Sequence, residues 1–359
     1  MTDRLSAPPP PAASEHPNGR ADLRAGEPAE GHAITRVAAI VIGRNEGERL
    51  RACLASVLGE ARPVIYVDSG STDGSPDLAA AMGAEVVMLD LARPFTAARA
   101  RNAGLAALRS RQAPLPPYLQ FVDGDCALRP GWLARAREFL DANPDVAAVC
   151  GRRRERFPEA SVYNRLCDWE WDTPPGETRA CGGDALFRVK PLIAAGGYRD
   201  ELIAGEEPEL CLRLRALGWK IWRLDAEMCW HDAAISRFGQ WWRRSRRAGY
   251  AFAAGAALHG KGSERPWVAE TRRSLLWGAV LPTVAAGAVF AGAFVPPLLL
   301  TAGLALAVYP AQALRIARRE GGRRTGMERG VFTVLGKFPE ALGVLEFRLL
   351  GRAKLIEYK

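Results

Sequence analysis

Two carboxylates one residue apart, Asp123-Gly124-Asp125, follow directly on the apolar run Leu119-Gln120-Phe121-Val122. Alone, an Asp-x-Asp spacing is most readily simple turn chemistry. Its place at the end of a buried strand, across from Asp68, gives it a second reading, because open α/β sheets bind ligands outside the carboxyl ends of their strands. Carboxylates in such a crevice can hold a hard divalent cation that shares its shell with substrate phosphates, and that ion would neutralise a leaving diphosphate as a Lewis acid. A second acidic group, Gly205-Glu206-Glu207-Pro208-Glu209, opens a helical stretch. It reads equally as a solvated helix N-terminus favoured by the dipole and as the source of a general base toward an acceptor hydroxyl. Two further apolar runs end in polar residues: Gly43-Arg44-Asn45-Glu46 and Asp68-Ser69-Gly70-Ser71-Thr72-Asp73-Gly74. No G-x-G-x-x-G follows the first run and the chain has no G-x-x-x-x-G-K-[ST], so dinucleotide and P-loop readings are unsupported.

Any metal must lean on carboxylates. The chain has four histidines, and His16 and His32 fall in its first thirty-odd residues, leaving His231 and His259 in the body. A lone histidine is usually structural, and both roles stay open for His231. The seven cysteines are an odd number without a C-x-x-C pair, which argues against a disulfide framework and a zinc ribbon and for buried thiols in a reducing compartment.

The elements that must position these groups follow from the apolar patterning. Val37–Ile42, Val64–Val67, Glu85–Leu89 and Leu119–Val122 read as strands. Leu50, Leu54 and Val57 recur at helical spacing, residues 97–108 are helical, and Pro130 opens another helix. Strands alternating with helices at this pace predict a parallel α/β sheet. The 359 residues, 48% hydrophobic and 25% charged, suit one large domain or two ordinary ones. Residues 1–34 are rich in Pro, Ala, Gly and Glu without a continuous apolar run, and read as a disordered leader rather than a secretory signal.

The net charge of +9 has a direction. Arginines cluster at 243, 244, 246 and 247, at 272 and 273, and at 315, 318, 319, 323 and 324, yet no charged residue occurs between Arg273 and Arg315. A bilayer span needs about 20 apolar residues, so this run accommodates two spans joined at Pro296-Pro297, with Pro282 and Pro310 as kinks. Arginines on both flanks place both ends in the cytoplasm. A buried soluble helix pair and a monotopic hairpin that never fully crosses are the other readings. The organisation is then leader (1–34), α/β domain (35–260), basic linker (261–273), hairpin (274–314) and basic amphipathic C-terminal region (315–359). In the last, residues 331–350 form an amphipathic helix for the membrane surface or, more plainly, for packing on the domain.

With these motifs in order, the chain resembles a membrane-associated bacterial family 2 glycosyltransferase of GT-A fold. The resemblance rests on Arg44-Asn45-Glu46, Asp68 to Ser75, Ala100-Arg101-Asn102-Ala-Gly104, Asp123-Gly-Asp125, Gly182-Gly183-Asp184-Ala-Leu-Phe-Arg188 and Glu206-Glu207-x-Glu-Leu-x-x-Arg213, spread over roughly residues 36 to 235. It implies an α/β fold with a mixed sheet flanked by helices, and an inverting transfer of sugar from a nucleotide diphosphate. Ile42, Arg44, Asn45 and Glu46 would border the donor nucleotide. Asp68 would accept a hydrogen bond from the base, which favours a UDP-sugar. Arg99 and Arg101 would contact the donor, and Asp123 with Gly124 would meet its ribose or the metal shell. Asp125 would ligate Mn²⁺ or Mg²⁺, joined by His231. Gly183 and Asp184 would lie on the acceptor side. Glu207 takes the place of the base with Glu206 just before it; the family commonly has Asp at Glu207, so the choice between the two glutamates stays open.

The hairpin implies a lipid-linked or glycan acceptor, membrane lipid as partner, and a catalytic domain on the cytoplasmic face of the cytoplasmic membrane, in cell-surface polysaccharide synthesis. Transfer directly to polyprenyl phosphate or a small lipid is the alternative. Gln240-Trp241-Trp242-Arg243 resembles the Gln-x-x-Arg-Trp signature of processive synthases, but Arg244 replaces the closing Trp; an interfacial helix fits the stretch at least as well. No nucleic-acid partner is expected, since the arginine clusters flank an uncharged run and not a groove-reading helix.

Overall fold

The computed structural model describes residues 36–350; the expected leader, residues 1–34, and the end of the C-terminal region, residues 351–359, lie outside the described residues. The four expected strands form as β1 (Val37–Gly43), β2 (Val64–Asp68), β3 (Glu85–Met88) and β4 (Tyr118–Asp123). They are joined by α1 (Glu48–Val57), α2 (Ser75–Ala81) and α3 (Ala97–Ser110). These strands are parallel, with Gly43 level with Asp68 and Ile42 level with Asp123, so three polar strand ends emerge side by side.

Beyond β4 the sheet ceases to be purely parallel. β5 (Cys126–Leu128), α4 (Trp132–Ala142), β6 (Val146–Glu155), α5 (Val162–Glu170), β7 (Gly176–Thr178), β8 (Ala185–Arg188), α6 (Val189–Ala194), α7 (Glu206–Ala216) and β9 (Lys220–His231) follow. The order is β3-β2-β1-β4-β8-β6-β9-β5, with β7 on β9, among the described residues. β8 runs antiparallel to both β4 and β6, and β5 and β7 antiparallel to β9. The parallel expectation is therefore corrected to the mixed sheet that the resemblance implied. Short strands such as β5 and β7 carry too few residues to show a period. β1, β2 and the apolar stretch of β6 are buried on both faces by the flanking helices, which is why they read as continuous runs.

The C-terminal third is helical: α8 (Phe238–His259), α9 (Val268–Leu275), α10 (Leu281–Gly292), α11 (Leu298–Arg319), α12 (Arg324–Leu335) and α13 (Lys337–Leu350). A π-helical turn, Leu276–Val280, joins α9 to α10, so Val268–Gly292 is one long helix that absorbs Pro282 just past the irregular turn. The expected linker thus already turns helical at Val268, and the second arm of the hairpin runs on to Arg319. Residues 331–350 break at Gly336 into two helices. α13 packs on the domain through α8, where Gly249 and Gly343 let the two backbones approach without a Cβ between them. Trp241 is likewise buried, against Tyr163, Phe238 and Phe332, whereas Phe238 is itself 46% exposed.

Candidate active site

The loop after β1 is laced to the loop after β2. Asn45, in the left-handed region at φ 55°, accepts from the Thr72 N–H through its side chain, and its own N–H donates to Ser71 Oγ. The Gly47 N–H donates to Asp73, and Arg44 lies over the Phe95 ring. The turn after β4 presses against this loop: the Gly124 N–H donates to the Ile42 carbonyl, and a Cβ on Gly124 would sit 3.1 Å from both that oxygen and Glu46 Cγ. Glu46 pairs with Arg49. Ile42, Arg44, Asn45, Glu46 and Gly124 are thus brought together at one edge of the sheet.

Asp123 is the partly open carboxylate of this edge, with 26% of its side chain exposed. Arg101, only 2% exposed, donates to Asp123 Oδ1 at 2.7 Å and to Glu206 Oε1 at 2.8 Å, and stacks against Tyr198. Burial alone would lower the pKa of this guanidinium; the charges of Asp123 and Glu206 outweigh it and hold the proton more firmly than usual. Gly183 faces the same pair, where a Cβ would intrude to 2.7 Å from Arg101 and 2.9 Å from Asp123. Arg101 therefore ties strand β4 to the first turn of α7.

In that turn, entered through Gly205 at φ 78°, the three acids part company. Glu206 takes Arg101. Glu207 is buried, with Oε1 accepting from the Cys181 N–H at 2.6 Å and from the Cys211 thiol at 3.0 Å. Glu209 is engaged by Arg213, Arg199 and His259, a clamp within the fold that also accounts for His259.

Asp125 and His231 meet on the far side of the turn. β5 and β9 pair Cys126 with His231, which sets His231 Nε2 3.5 Å from Asp125 Oδ1. They are 8% and 7% exposed. The other ring nitrogen faces Glu155 at 3.6 Å, and Trp171 packs edge-on against the imidazole. Burial pushes the His231 pKa down, so the ring is neutral near pH 7 and keeps a lone pair. A carboxylate oxygen and a neutral imidazole within reach of one point are a fitting donor pair for Mn²⁺ or Mg²⁺.

Three expected contact residues are engaged elsewhere. Asp68 is wholly buried: its oxygens accept from the Tyr66 hydroxyl and the N–H groups of Gly70 and Ser71, so it shapes its own turn. Arg99 directs its guanidinium at the carbonyls of Asp90, Arg93 and Pro94 and holds the loop before α3. Asp184 is also wholly buried, accepting from the Asp123 N–H and pairing with Arg153 at 2.6 Å, so it supports Asp123 from beneath. Arg153 and Glu155 on β6, which contact Asp123, Asp184 and His231, belong to the candidate site and were missed by the sequence reading. The signal was present: Arg152-Arg153-Arg154-Glu155 follows the apolar Val146–Cys150 run as polar residues follow the other strands.

Residues 38–192 match the family model described as Glycosyl transferase family 2. A TPR repeat-containing protein of Synechococcus elongatus is 28% identical over 209 residues, covering 58% of this chain but only 43% of that protein. An uncharacterised glycosyltransferase of Mycobacterium bovis is 29% identical over 195 residues, 50% of this chain and 79% of that one. Among solved structures, a mannosyltransferase of Pyrobaculum calidifontis in complex with GDP-Man and Mn²⁺ superposes with a TM-score of 0.56 at 21% identity, covering 86% of this chain and 87% of that one. At that identity the likeness shows the fold.

Proposed function

Through residues 38–192 this chain belongs to glycosyl transferase family 2, and on that premise we propose that it moves a sugar from a nucleotide-diphosphate donor to a hydroxyl of a membrane-borne acceptor by a single inverting displacement. The observation that carries this reading is the Arg101 bridge, which brings the strand-end carboxylate Asp123 and the acidic turn of α7 to one place. Donor groups then lie on the β1 and β4 side of the cleft and a proton acceptor on the α7 side. The donor's diphosphate belongs beside Asp123, Asp125 and His231. Asp125 and His231 are the residues that would hold a divalent cation, which supplies charge neutralisation for the departing diphosphate.

Glu207 is the group assigned as base. Its carboxylate takes neutral N–H and S–H donors, whereas Glu206 is already engaged in an ion pair with the buried Arg101. Glu207 removes the proton of the acceptor hydroxyl while the acceptor oxygen attacks the anomeric carbon, and the nucleoside diphosphate departs. With Asp68 engaged in its own turn, the residue that favoured uridine no longer supports that choice, and UDP- and GDP-sugars stand level as donors. Support for a lipid-linked acceptor comes from the two apolar helices, Val268–Gly292 and Leu298–Arg319, each long enough and apolar enough to cross a membrane; their basic flanks favour the cytoplasmic face for the domain.

The test is donor turnover by detergent-purified protein, screening UDP-, GDP- and dTDP-sugars with Mn²⁺, Mg²⁺ or EDTA. Metal-dependent turnover of one donor, lost in Asp125→Ala, is expected. Turnover insensitive to EDTA and to Asp125→Ala would remove the cation from the reading, and failure of every donor would remove the transfer itself.

A further inference from the structure

We propose that the apolar hairpin is a re-entrant wedge: it enters the membrane from the side of the catalytic domain, and its tip at Phe294 stops inside the hydrocarbon instead of emerging on the far face. This rests on the reading above that the hairpin meets a membrane, and it adds the geometry.

The turn itself is unsuited to water. From Val284 to Leu300 the chain has no polar side chain, and the joint between the arms reads Ala293-Phe294-Val295-Pro296-Pro297. Phe290, Phe294 and Leu300 are 74%, 78% and 73% exposed. Turns that face solvent use Gly, Asn, Asp and Ser, and contiguous apolar surface of this kind marks a membrane or partner contact.

The same turn is suited to hydrocarbon, where every backbone donor must be satisfied internally. The N–H groups of Ala293, Phe294 and Val295 donate to the carbonyls of Phe290 and Ala291. Those of Leu298, Leu299 and Leu300 donate to Val295, Pro296 and Pro297. The two positions between them are the prolines, which have no N–H. A helix start normally leaves its first donors orphaned; here none from 293 to 300 is left.

Length agrees. Where the hairpin leaves the protein, Tyr309 donates to the Trp277 carbonyl, packs edge-on against the Trp277 ring and stacks on Phe338, and the Lys337 backbone lies against Gly278. Aromatic side chains of this kind sit at the membrane–water boundary. From Trp277 to Gly292 the helix rises about 22 Å at 1.5 Å per residue, short of the roughly 30 Å hydrocarbon thickness. Arg272 and Arg273 at one foot, with Arg315, Arg318 and Arg319 at the other, hold both ends on one side.

Single cysteines test the wedge in the full chain, because all seven native cysteines are buried. Phe294→Cys, Val295→Cys as a second tip variant, and Arg318→Cys at the foot would be reconstituted in sealed vesicles and treated with a membrane-impermeant maleimide from each side in turn. Arg318→Cys is expected to label from the catalytic domain's side. The tip variants are expected to stay unlabelled from both sides until detergent is added, and Phe294→Trp to be quenched more by lipids brominated deep in the acyl chain than near the headgroup. Tip labelling from the side opposite Arg318→Cys would show a full crossing, and labelling from the same side a hairpin lying on the surface; either overturns the wedge. A chain that stays wholly in the soluble fraction overturns the membrane reading itself.

Discussion

Asp123 and Glu206, one at the end of a central strand and the other in the first turn of a helix, are held by the two terminal nitrogens of one buried guanidinium. A planar fork with fixed donor directions can bridge two carboxylates in this way, whereas an ammonium is a single point of charge. The bridge fixes the distance between the end of β4 and the acidic first turn of α7, and Gly183 permits it by presenting no Cβ to the pair.

Arg101→Lys is expected to fail at both tasks. Breaking a buried ion pair by removing one partner costs about 3–5 kcal/mol, and misplacing the two sides of the cleft by about 1 Å can cost 100-fold in turnover. Chemical denaturation and steady-state kinetics measure the two losses separately. In a double-mutant cycle with Glu206→Gln, the second change is expected to add little to the first; strict additivity would mean the bridge is not the coupling element.

Glu206→Gln and Glu207→Gln separate anchor from base. Glu207→Gln is expected to lower kcat by about 100- to 10,000-fold with donor binding intact, measured by calorimetry with the nucleotide sugar. Glu206→Gln is expected to lower stability and to raise KM along with its loss of rate, because Arg101 is left with one partner. The reverse pattern would move the base to Glu206.

The strand ends were legible because a strand covered on both faces is an unbroken apolar run, so the first polar residue after it marks where ligands bind. That logic finds Arg44 and the turn that begins at Asp123, and extended to the run ending at Cys150 it would have reached the Arg152–Glu155 stretch that holds Arg153. Burial of a polar side chain was not legible. Asp68-Ser69-Gly70-Ser71 has one spelling whether its carboxylate reads a ligand or accepts from its own Gly70 and Ser71 N–H groups. Asp184 is hidden for a related reason, since only the antiparallel insertion of β8 beside β4 sets it under Asp123. Likewise the apolar face of residues 331–350 fits a membrane surface and fits α8 equally well, and the glycines at 249 and 343 that decide for α8 lie almost a hundred residues apart.

Mn²⁺ is expected to stabilise the chain through Asp125 and His231. A ligand held by the folded state alone at 100 times its Kd adds about 2.7 kcal/mol, seen as a rise in Tm in a thermal-shift titration. Asp125→Ala and His231→Ala are expected to abolish that rise. Glu155→Gln, behind the imidazole, is expected to weaken Mn²⁺ binding by about 10- to 100-fold. An equal Tm rise in Asp125→Ala would place the ion elsewhere.

Glu209 sets an acid limit on the fold. Burial by itself would raise its pKa, but the bonds and charge of Arg213, with His259 and Arg199, prevail and bring it below the ordinary glutamate value. The unfolded chain then takes up this proton at a higher pH than the folded chain does. The stability contributed by Glu209 is complete above pH about 4.5 and is lost as the pH falls through the lower folded value. Removing the charge leaves Arg213 and Arg199 facing a neutral amide, so Glu209→Gln is expected to cost about 3–5 kcal/mol at pH 7. The difference between wild type and variant should shrink as the pH is taken below 4.5, followed by urea denaturation at each pH. A gap that stayed constant across that range would mean that Glu209 stabilises α7 by packing and not by charge.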